Sequence, residues 1–315
     1  MRIAFLIDPP ESFKTYKDST YAMMVEAARR GHELHVLQQE NLAWRAAGAA
    51  AATRRLHLTG EEPAWFRLEE PHTTLLKDFD AVLMRKDPPF DMEYVYSTYL
   101  LELAQNQGAR VYNDPRAIRD CNEKMTIARY PQFTAPTLVT RELALIHDFL
   151  AEHGDIILKP LDGMGGTSVF RVHRADPNLN VIVETITHYG RRTVMAQRYI
   201  PQIVDGDKRV LLIGGKPVPY ALARIPKPGE TRGNLAAGGT GVARPLSARD
   251  REIAETLAPQ LFAQGLLLVG LDVIGDFLTE VNVTSPTCFR EITEQTGFNV
   301  AGMLVDALEH AVERR

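Results

Sequence analysis

A glycine-rich loop between two apolar segments limits most strongly how this chain can fold. Residues 155–158 and 168–172 are rich in β-branched and aromatic side chains, which is typical of strands, and residues 159–168 connect them. A phosphate loop of the P-loop or dinucleotide-binding kind leads instead into a helix, whose N-terminus meets the phosphate. No helical pattern follows here, so the segment predicts a hairpin that forms a flap over a ligand.

The composition of this flap favours an anionic ligand. Its three glycines let the backbone approach a bulky anion with several amides exposed, and its hydroxyl side chains add donors. The lysine on the entering strand supplies a point charge suited to a phosphate. These residues are Lys159, Gly163, Gly165, Gly166, Thr167 and Ser168. An ordinary glycine hairpin with a surface lysine is the alternative interpretation, so the rest of the chain has to decide.

Composition excludes several classes of protein. The 315 residues carry a net charge of −4, so a polyanionic ligand needs locally clustered cations or metal ions, and neither nucleic acid nor an anionic membrane is an expected partner. No apolar stretch approaches the ~20 residues of a membrane span, and the run at residues 1–7 is too short for a signal peptide. Cys121 and Cys288 cannot build a disulfide framework or a zinc site by themselves. We expect two buried thiols in a cytoplasmic protein.

The first part of the chain has the pattern of an α/β domain with a parallel sheet, which we place at residues 1–119. Its elements follow the order strand, helix, strand and strand at residues 3–7, 20–30, 33–37 and 80–84. Arg85 follows the last of these strands, and ligands of open parallel sheets lie at the carboxyl ends of strands, so Arg85 is a candidate carboxylate binder. A solvated loop is the alternative there. The alanine-rich residues 44–58 have helical propensity without clear ends and stay unassigned.

From residue 120 the pattern changes to α+β. We predict a second domain at residues 120–315, with a flap subdomain at about 133–197 and a C-terminal subdomain at about 198–315. Helices are predicted at residues 116–130, 140–153 and 302–314, and strands at 181–186, 193–197, 208–213, 217–223, 266–274 and 277–283. Another helix begins after Ser247, with Asp250 in capping-box position, and runs to about Gln264.

Residues 225–241 cannot form a regular element, because they contain two prolines and five glycines. Within them, residues 232–239 combine the charge of Arg232 and the polar Asn234 with glycine hinges. This mixture suits a mobile lid over an active site. A plain linker is the alternative.

Three oxygen-bearing side chains point to a metal site near the C-terminus. Glu280 and Asn282 lie two positions apart in a predicted strand and therefore share one face of it. Asp272 interrupts the apolar neighbouring strand of the same hairpin, where an unpaired buried charge would be costly. Hard oxygen donors suit Mg²⁺, which keeps positions for water and nucleotide phosphates. A polar strand paired to an arginine is the alternative.

The flap and the acidic hairpin together predict a site for Mg-ATP. The flap supplies amides and hydroxyls to phosphates, while the hairpin holds metal against the same nucleotide. The motifs contain no recognisable pair of nucleophile and base. Catalysis would therefore proceed by positioning and electrostatic stabilisation, as phosphoryl transfer requires.

Five segments taken together resemble the bacterial glutathione synthetases of the ATP-grasp superfamily. They are residues 84–91, the helix around Lys124, and residues 157–166, 232–239 and 280–287. The flap is typical of the whole superfamily, while residues 84–91, 232–239 and 282–287 jointly narrow the likeness to this family. The resemblance covers essentially all 315 residues. It implies an ATP-grasp domain of two subdomains with the nucleotide between them.

The resemblance also implies roles for residues that match the family's motifs. The phosphates of ATP would be bound by Lys124 and Lys159 under the flap of Gly163, Gly165, Gly166, Thr167 and Ser168. The adenine pocket would be lined by Gln197, Tyr199 and Ile200, with Asp207 near the ribose. Two Mg²⁺ ions, with Mn²⁺ as an alternative metal, would be held by Asp272, Glu280 and Asn282. The catalytic arginines would be Arg209, Arg224 and Arg232, and substrate would be contacted by Arg85 and Ser285.

The implied reaction is ATP-dependent formation of a carbon–nitrogen bond. ATP phosphorylates the cysteine carboxylate of γ-glutamylcysteine, and the glycine amine then displaces phosphate to give glutathione. The family also implies a homo-oligomer, either a tetramer or a dimer. Two other interpretations stay open: another ATP-grasp ligase, such as one that joins D-alanine, and a non-catalytic module that uses ATP as a conformational switch.

Overall fold

The N-terminal part of the chain is built on a sheet whose central strands are parallel. In the computed structural model, which describes residues 1–230, 232–235 and 238–313, these strands are β1 (Arg2–Leu6), β2 (Glu33–Leu37), β7 (Ala81–Met84) and β8 (Val111–Tyr112). They pair in the order β2-β1-β7-β8. Helix α1 (Ser19–Arg29) connects β1 to β2, with Asp18 capping its N-terminus, as the βαβ pattern predicts.

The predicted parallel strands form the centre of this sheet, and antiparallel strands extend it, so the whole sheet is mixed. The added strands are β3 (Leu42–Arg45), β4 (Gly48–Leu58), β5 (Phe66–Leu68) and β6 (His72–Leu75). The long strand β4 pairs with β2, β3, β5 and β6. Ala49, Ala50 and Ala51 are buried in it. Strand pairing and burial thus override the helical propensity of alanine in the stretch that the sequence left unassigned.

The predicted helix at residues 116–130 is shorter than expected. Helix α2 (Met92–Asn106) precedes it, and α3 (Pro115–Asp120) ends before Lys124. Asn122 Oδ1 accepts hydrogen bonds from the backbone amides of Lys124 and Met125, at 3.1 and 2.9 Å. A side chain that takes backbone amides in this way competes with helical hydrogen bonding. The chain resumes as a 3₁₀ turn at Met125–Arg129.

The flap belongs to a four-stranded antiparallel sheet. Its strands are β9 (Thr137–Thr140), β10 (Asp155–Pro160), β11 (Phe170–His173) and β12 (Val194–Arg198), in the order β11-β10-β12-β9. Helices α4 (Leu143–His153) and α5 (Leu179–Ile186) pack on it. The prediction of a strand at residues 181–186 is therefore wrong, because these residues belong to α5. Val183 and Ile186 are buried while Val181 is exposed, so the apolar residues follow a helical period despite their β-branched side chains.

A second antiparallel sheet carries the acidic hairpin. Its strands are β13 (Asp207–Ile213), β14 (Lys216–Ile225), β15 (Thr240–Pro245), β16 (Leu268–Ile274) and β17 (Phe277–Asn282), in the order β15-β14-β13-β16-β17. Three helices complete this part: α6 (Ala248–Ala263), α7 (Phe289–Thr296) and α8 (Val300–Glu313). The capping box of Ser247 and Asp250 is confirmed. Arg314, the predicted end of the last helix, lies outside the described residues.

One hydrophobic core joins the N-terminal sheet to the C-terminal helices. It contains Phe5 of β1 together with Phe289 of α7 and Leu304 of α8. Both cysteines are buried free thiols, as predicted. Over the described ranges, the helices include none long and apolar enough to cross a membrane. The domain limits at residues 119 and 120, and the subdomain limits within 120–315, stay predictions.

Candidate active site

A cleft lies between the flap sheet and the second antiparallel sheet. Its volume, with the part that is open to solvent, is about 820 Å³. Most of the residues predicted to bind nucleotide line it: Lys124, Lys159, Gly163, Gly165, Gly166, Thr167, Gln197, Tyr199, Ile200 and Asp207. Arg232, Asp272 and Glu280 also line it, whereas Ser168 does not. Residues from distant parts of the sequence thus meet around one space.

Two buried lysines form the cationic wall of the cleft. The ammonium groups of Lys124 and Lys159 both lie 3.6 Å from Glu280 Oε1. Lys124 also donates to the Gly163 carbonyl oxygen at 2.6 Å, and Lys159 donates to the Thr279 carbonyl oxygen at 3.3 Å. Burial lowers the pKa of Lys159, although Glu280 counteracts this. Two ammonium groups thus share one carboxylate, which leaves positive charge for an anionic ligand.

The flap contacts the glycine-rich segment 225–241 across the mouth of the cleft. Gly166 has a φ of +80°, and a Cβ atom there would lie 2.8 Å from the side chain of Asn234 and 3.0 Å from that of Arg232. Only glycine permits both this backbone conformation and this close approach. The described parts of the predicted lid therefore lie beside the flap. Of the lid residues, Thr231, Ala236 and Ala237 lie outside the described residues, and the mobility of the lid stays a prediction.

Two arginines and two carboxylates form a buried network at the floor of the cleft. Arg209 Nε donates to Asp272 Oδ1 at 2.6 Å, and Arg224 Nη2 lies 2.9 Å from Asp272 Oδ2. Arg224 also donates to Asp207 Oδ2 at 2.5 Å. Burial works to raise the pKa of Asp272, but the two guanidiniums outweigh it and hold the pKa well below its usual range. Burial raises the pKa of Asp207 to about 7, because the guanidinium of Arg224 offsets only part of the effect of burial.

One oxygen of this network lacks a partner. Asp207 Oδ1 is buried and accepts no hydrogen bond from the described part of the chain. Asp207 is also one of the residues that line the cleft. A buried acceptor without a donor is costly, so this position suits a ligand that carries hydroxyl groups.

The acidic hairpin brings the predicted metal ligands together only in part. Asp272 pairs with Glu280, and Gly270 pairs with Asn282, in the register of β16 and β17. Asn282 Nδ2 donates to the Gly270 carbonyl oxygen at 3.1 Å, which leaves the amide oxygen for a ligand. The Asp272 oxygens are engaged by arginines, as the alternative interpretation expects. No group of three or more acidic, histidine or cysteine side chains suited to a metal occurs among residues 1–230, 232–235 and 238–313. The donor oxygens of Glu280 and Asn282 are of the kind that Mg²⁺ prefers.

A second cavity adjoins the cleft. It is lined by Arg209, Arg224, Asn282 and Ser285, and on its N-terminal side by Lys17 and Asp18. The two spaces share the lining residues Gly163, Met164, Gly165, Asn234, Asp272 and Glu280. A phosphate donor in the first space and a carboxylate in the second would therefore meet beside Glu280.

Arg85 lies outside the lining of both spaces. Its Nη2 donates to the Pro286 carbonyl oxygen at 3.0 Å, and its Nε donates to Thr20 Oγ1 at 3.1 Å. Ser285 Oγ donates to the Arg85 carbonyl oxygen at 3.3 Å. Burial lowers the pKa of Arg85, and its Nη1 has no acceptor within the described ranges. In this structure Arg85 supports the loop that bears Ser285, and its contact with substrate stays a prediction.

Sequence reasoning missed Glu123. Its carboxylate accepts hydrogen bonds from Val283 and Thr284 and so fixes the chain that follows β17. The sequence places Glu123 next to Lys124, but a single glutamate in a polar turn has no pattern that distinguishes it. Only the three-dimensional contact reveals this link.

Comparison with solved structures defines the class of protein. The fold matches D-cycloserine synthetase DcsG with a TM-score of 0.68 at 17% identity, over 98% of this chain and 99% of that one. It also matches the ATP-grasp ligase PsnB, solved with its minimal precursor, Mg and ADP, with a TM-score of 0.64 at 19% identity, over 99% of this chain and 98% of that one. The chain therefore has the ATP-grasp fold.

Comparison of sequences narrows the class to one family. The N-terminal domain of prokaryotic glutathione synthetase matches residues 1–119, and its ATP-grasp domain matches residues 123–297. Glutathione synthetase of Nitrosomonas europaea is 62% identical over 100% of this chain and 99% of its own length. The chain belongs to the prokaryotic glutathione synthetase family.

Proposed function

We propose that this protein is an ATP-dependent ligase that joins γ-glutamylcysteine to glycine and releases glutathione, ADP and phosphate. The observation that carries the proposal is the meeting of two spaces beside Glu280, in a chain that matches glutathione synthetases over its full length. One space suits a nucleotide, and the other suits a carboxylate substrate near two arginines. This arrangement supports a reaction that passes a phosphoryl group from one space to the other.

The nucleotide occupies the cleft. Its phosphates lie against Lys124 and Lys159 and under the glycine amides of the flap, which exclude water. The base lies beside Gln197, Tyr199 and Ile200, and the ribose hydroxyls donate to the unpartnered Asp207 Oδ1. Mg²⁺, with Mn²⁺ as an alternative, supplies charge neutralisation for the phosphates when bound, and Asp272, Glu280 and Asn282 are the residues that would hold two ions.

The reaction has two covalent steps. The cysteine carboxylate attacks the γ-phosphorus of ATP, the bond to the β–γ bridging oxygen breaks, and an acyl phosphate and ADP form. The glycine amine then attacks the acyl carbon, and phosphate leaves with the bonding electrons as a proton leaves the amine. Arg209 and Arg224, which line the second space, stabilise the developing negative charge on the acyl oxygen and phosphate. Arg232 of the lid, which lies beside the flap, adds charge when the flap is closed.

Acceptor-dependent phosphate release tests this function. The protein with Mg-ATP and γ-glutamylcysteine is expected to release phosphate continuously only when glycine is present, and glutathione should accumulate in equal amount. D-alanine offered as both substrates serves as the matched control for the alternative ligase. Release with D-alanine but not with glycine would replace the glutathione assignment, and tight ATP binding without ADP formation would indicate a non-catalytic module.

Self-association through helix α2 is a further part of the proposal. Met92, Tyr96, Tyr99 and Leu103 are 57%, 51%, 49% and 41% exposed, at spacings of four, three and four residues. The opposite face of the same helix is buried in the fold, so this exposed apolar stripe is a second packing face of α2, as in a helix enclosed in an assembly. Along α2 the exposed side chains follow the order Met, Tyr, Tyr, Leu, so the stripe is nearly the same when the helix is turned end for end. Around a two-fold axis Met92 meets Leu103, and Tyr96 meets Tyr99, of a second copy.

Tyr96→Glu is expected to dissociate this assembly. The charge would be buried without a partner at the centre of the paired helices, whereas the isolated fold keeps the residue in solvent. Sedimentation velocity at micromolar concentration should show a smaller species than for the unaltered protein. Val181→Glu, at an apolar position of α5 that is 61% exposed, is the matched control. An unchanged sedimentation coefficient for Tyr96→Glu would exclude α2 as the contact. The cytoplasmic location expected from the sequence stays a prediction.

A further inference from the structure

Glu123 binds the outer edge of strand β17, which carries two of the predicted metal ligands. Among the residues that the structure describes, β17 is the last strand of its sheet and pairs there with β16 alone. The Val281 amide donates to the Glu123 carbonyl oxygen at 2.8 Å, and the Val283 amide donates to Glu123 Oε1 at 3.0 Å. One residue therefore takes the place of a neighbouring strand along the stretch that bears Glu280 and Asn282.

The same carboxylate oxygen fixes the chain beyond β17. Glu123 Oε1 also accepts the Thr284 amide at 3.2 Å and the Thr284 hydroxyl at 2.8 Å. Successive side chains of a strand point to opposite faces, so fixing the amides of Val281 and Val283 also fixes the direction of the residues between and before them. Those residues are Glu280 and Asn282, which line the second cavity.

The neighbours of Glu123 hold the opposite wall of the cleft. Asn122 Nδ2 donates to the Leu161 carbonyl oxygen at 3.2 Å, and Lys124 Nζ donates to the Gly163 carbonyl oxygen at 2.6 Å. Leu161 and Gly163 both belong to the loop that forms the flap. Three consecutive residues therefore connect the flap to β17 and set the distance between the two walls.

We propose that Glu123 is a positioning residue for the ligase reaction, because its side-chain oxygen holds Val283 and Thr284, directly after β17, so that Glu280 and Asn282 face the nucleotide and its metal. The reaction named here rests on the proposed function, but the hydrogen bonds do not. These bonds require an acceptor oxygen and not a negative charge. An amide oxygen in the same place accepts them, so substitution separates the two properties.

Two variants of Glu123 test this role through the Mg²⁺ dependence of ADP binding, measured by calorimetry, and through kcat. Glu123→Leu removes the side-chain acceptor. We expect it to raise the Mg²⁺ concentration for half-maximal ADP binding by about 10- to 100-fold and to lower kcat by a similar factor, because loss of an outer-shell partner of a metal site has effects of this size. Glu123→Gln keeps an acceptor and should restore both values to within about threefold of the unaltered protein. Glu255→Leu, on the solvent side of α6, is the control and should change neither value.

The outcomes separate positioning from other roles. An equal loss of Mg²⁺-dependent ADP binding and of kcat in Glu123→Leu and Glu123→Gln would overturn the proposal, because the charge would then be the essential property. A normal Mg²⁺ dependence in Glu123→Leu would also overturn it. Should Glu123→Leu fail to fold, Thr284→Val removes one donor to the same oxygen and must shift the Mg²⁺ dependence in the same direction, or the proposal fails. Because ADP binding needs no acceptor substrate, it tests Glu123 even if the unaltered protein shows no glycine-dependent turnover.

Discussion

Glu280→Gln is expected to lower turnover at least about tenfold at saturating substrates while the protein remains folded. The Glu280 carboxylate lies 3.6 Å from the ammonium groups of both Lys124 and Lys159, and it is a proposed ligand of Mg²⁺. Glutamine keeps the shape of the side chain but removes its charge. The two lysines would lose their shared counterion, and the metal would lose an anionic ligand at the point where the phosphoryl group is transferred.

Steady-state phosphate release over a series of Mg²⁺ concentrations measures this effect. Glu255→Gln, an exposed position of α6, is the matched control and should leave the rate unchanged. Circular dichroism and urea unfolding of both variants establish that folding is intact. Near-normal turnover of Glu280→Gln at saturating Mg²⁺ would remove Glu280 from the metal site.

Asp272→Asn is expected to lower the free energy of unfolding by about 3–5 kcal/mol. The Asp272 carboxylate is only 3% exposed and neutralises the guanidiniums of both Arg209 and Arg224. Asparagine is nearly isosteric but neutral, so two buried cations would keep a single carboxylate, that of Asp207, which within the described ranges bonds to Arg224 and not to Arg209. Removing one member of a buried ionic network costs more than the network contributes, because the charges left behind are not solvated.

The pH dependence gives a second test of this network. The pKa of Asp272 is lowered in the folded protein, so its contribution to stability is fully present above the pKa of the unfolded chain, about 4. That contribution is lost only as the pH falls through the lower value of the folded state. The part of the difference in unfolding free energy between the unaltered protein and Asp272→Asn that comes from the Asp272 charge should thus narrow only below about pH 4, while Asp207, whose pKa is raised to about 7 by burial and partly by Asp272, adds a pH dependence of its own above that.

Urea unfolding followed by tryptophan fluorescence measures both quantities. Asp276→Asn changes an exposed aspartate in the turn of the same hairpin and is the matched control, with an expected change within about 0.5 kcal/mol. A loss for Asp272→Asn no greater than that of the control would mean that the two arginines do not depend on this carboxylate.

Sequence patterns within short segments predicted those structural elements that depend on residues close together in the chain. The glycine loop between two strands, the alternation of Glu280 and Asn282, and the capping box at Ser247 depend on residues close in sequence, and the structure confirms each of these elements. The convergence of the flap and the acidic hairpin on one cleft was predicted from their complementary chemistry and was also implied by the family resemblance. Periodicity alone could not bring together segments more than 100 residues apart.

The parts that sequence reasoning missed depend on contacts between distant segments. Strand β4 forms because its alanines are buried between partner strands, and α5 forms although its β-branched residues favour a strand. The engagement of Asp272 by Arg209 and Arg224 requires β13, β14 and β16 to lie side by side. Glu123 reaches the edge of β17 across about 160 positions of the chain. No pattern within a short window records such contacts.

The flap separates the two spaces, since Gly163, Met164 and Gly165 line both of them. Any shift of this loop that admits a nucleotide on one side changes the room available to a carboxylate on the other. If occupancy of one space shifts this loop, the affinity of the other space changes, and thermodynamic reciprocity makes the two effects equal in size.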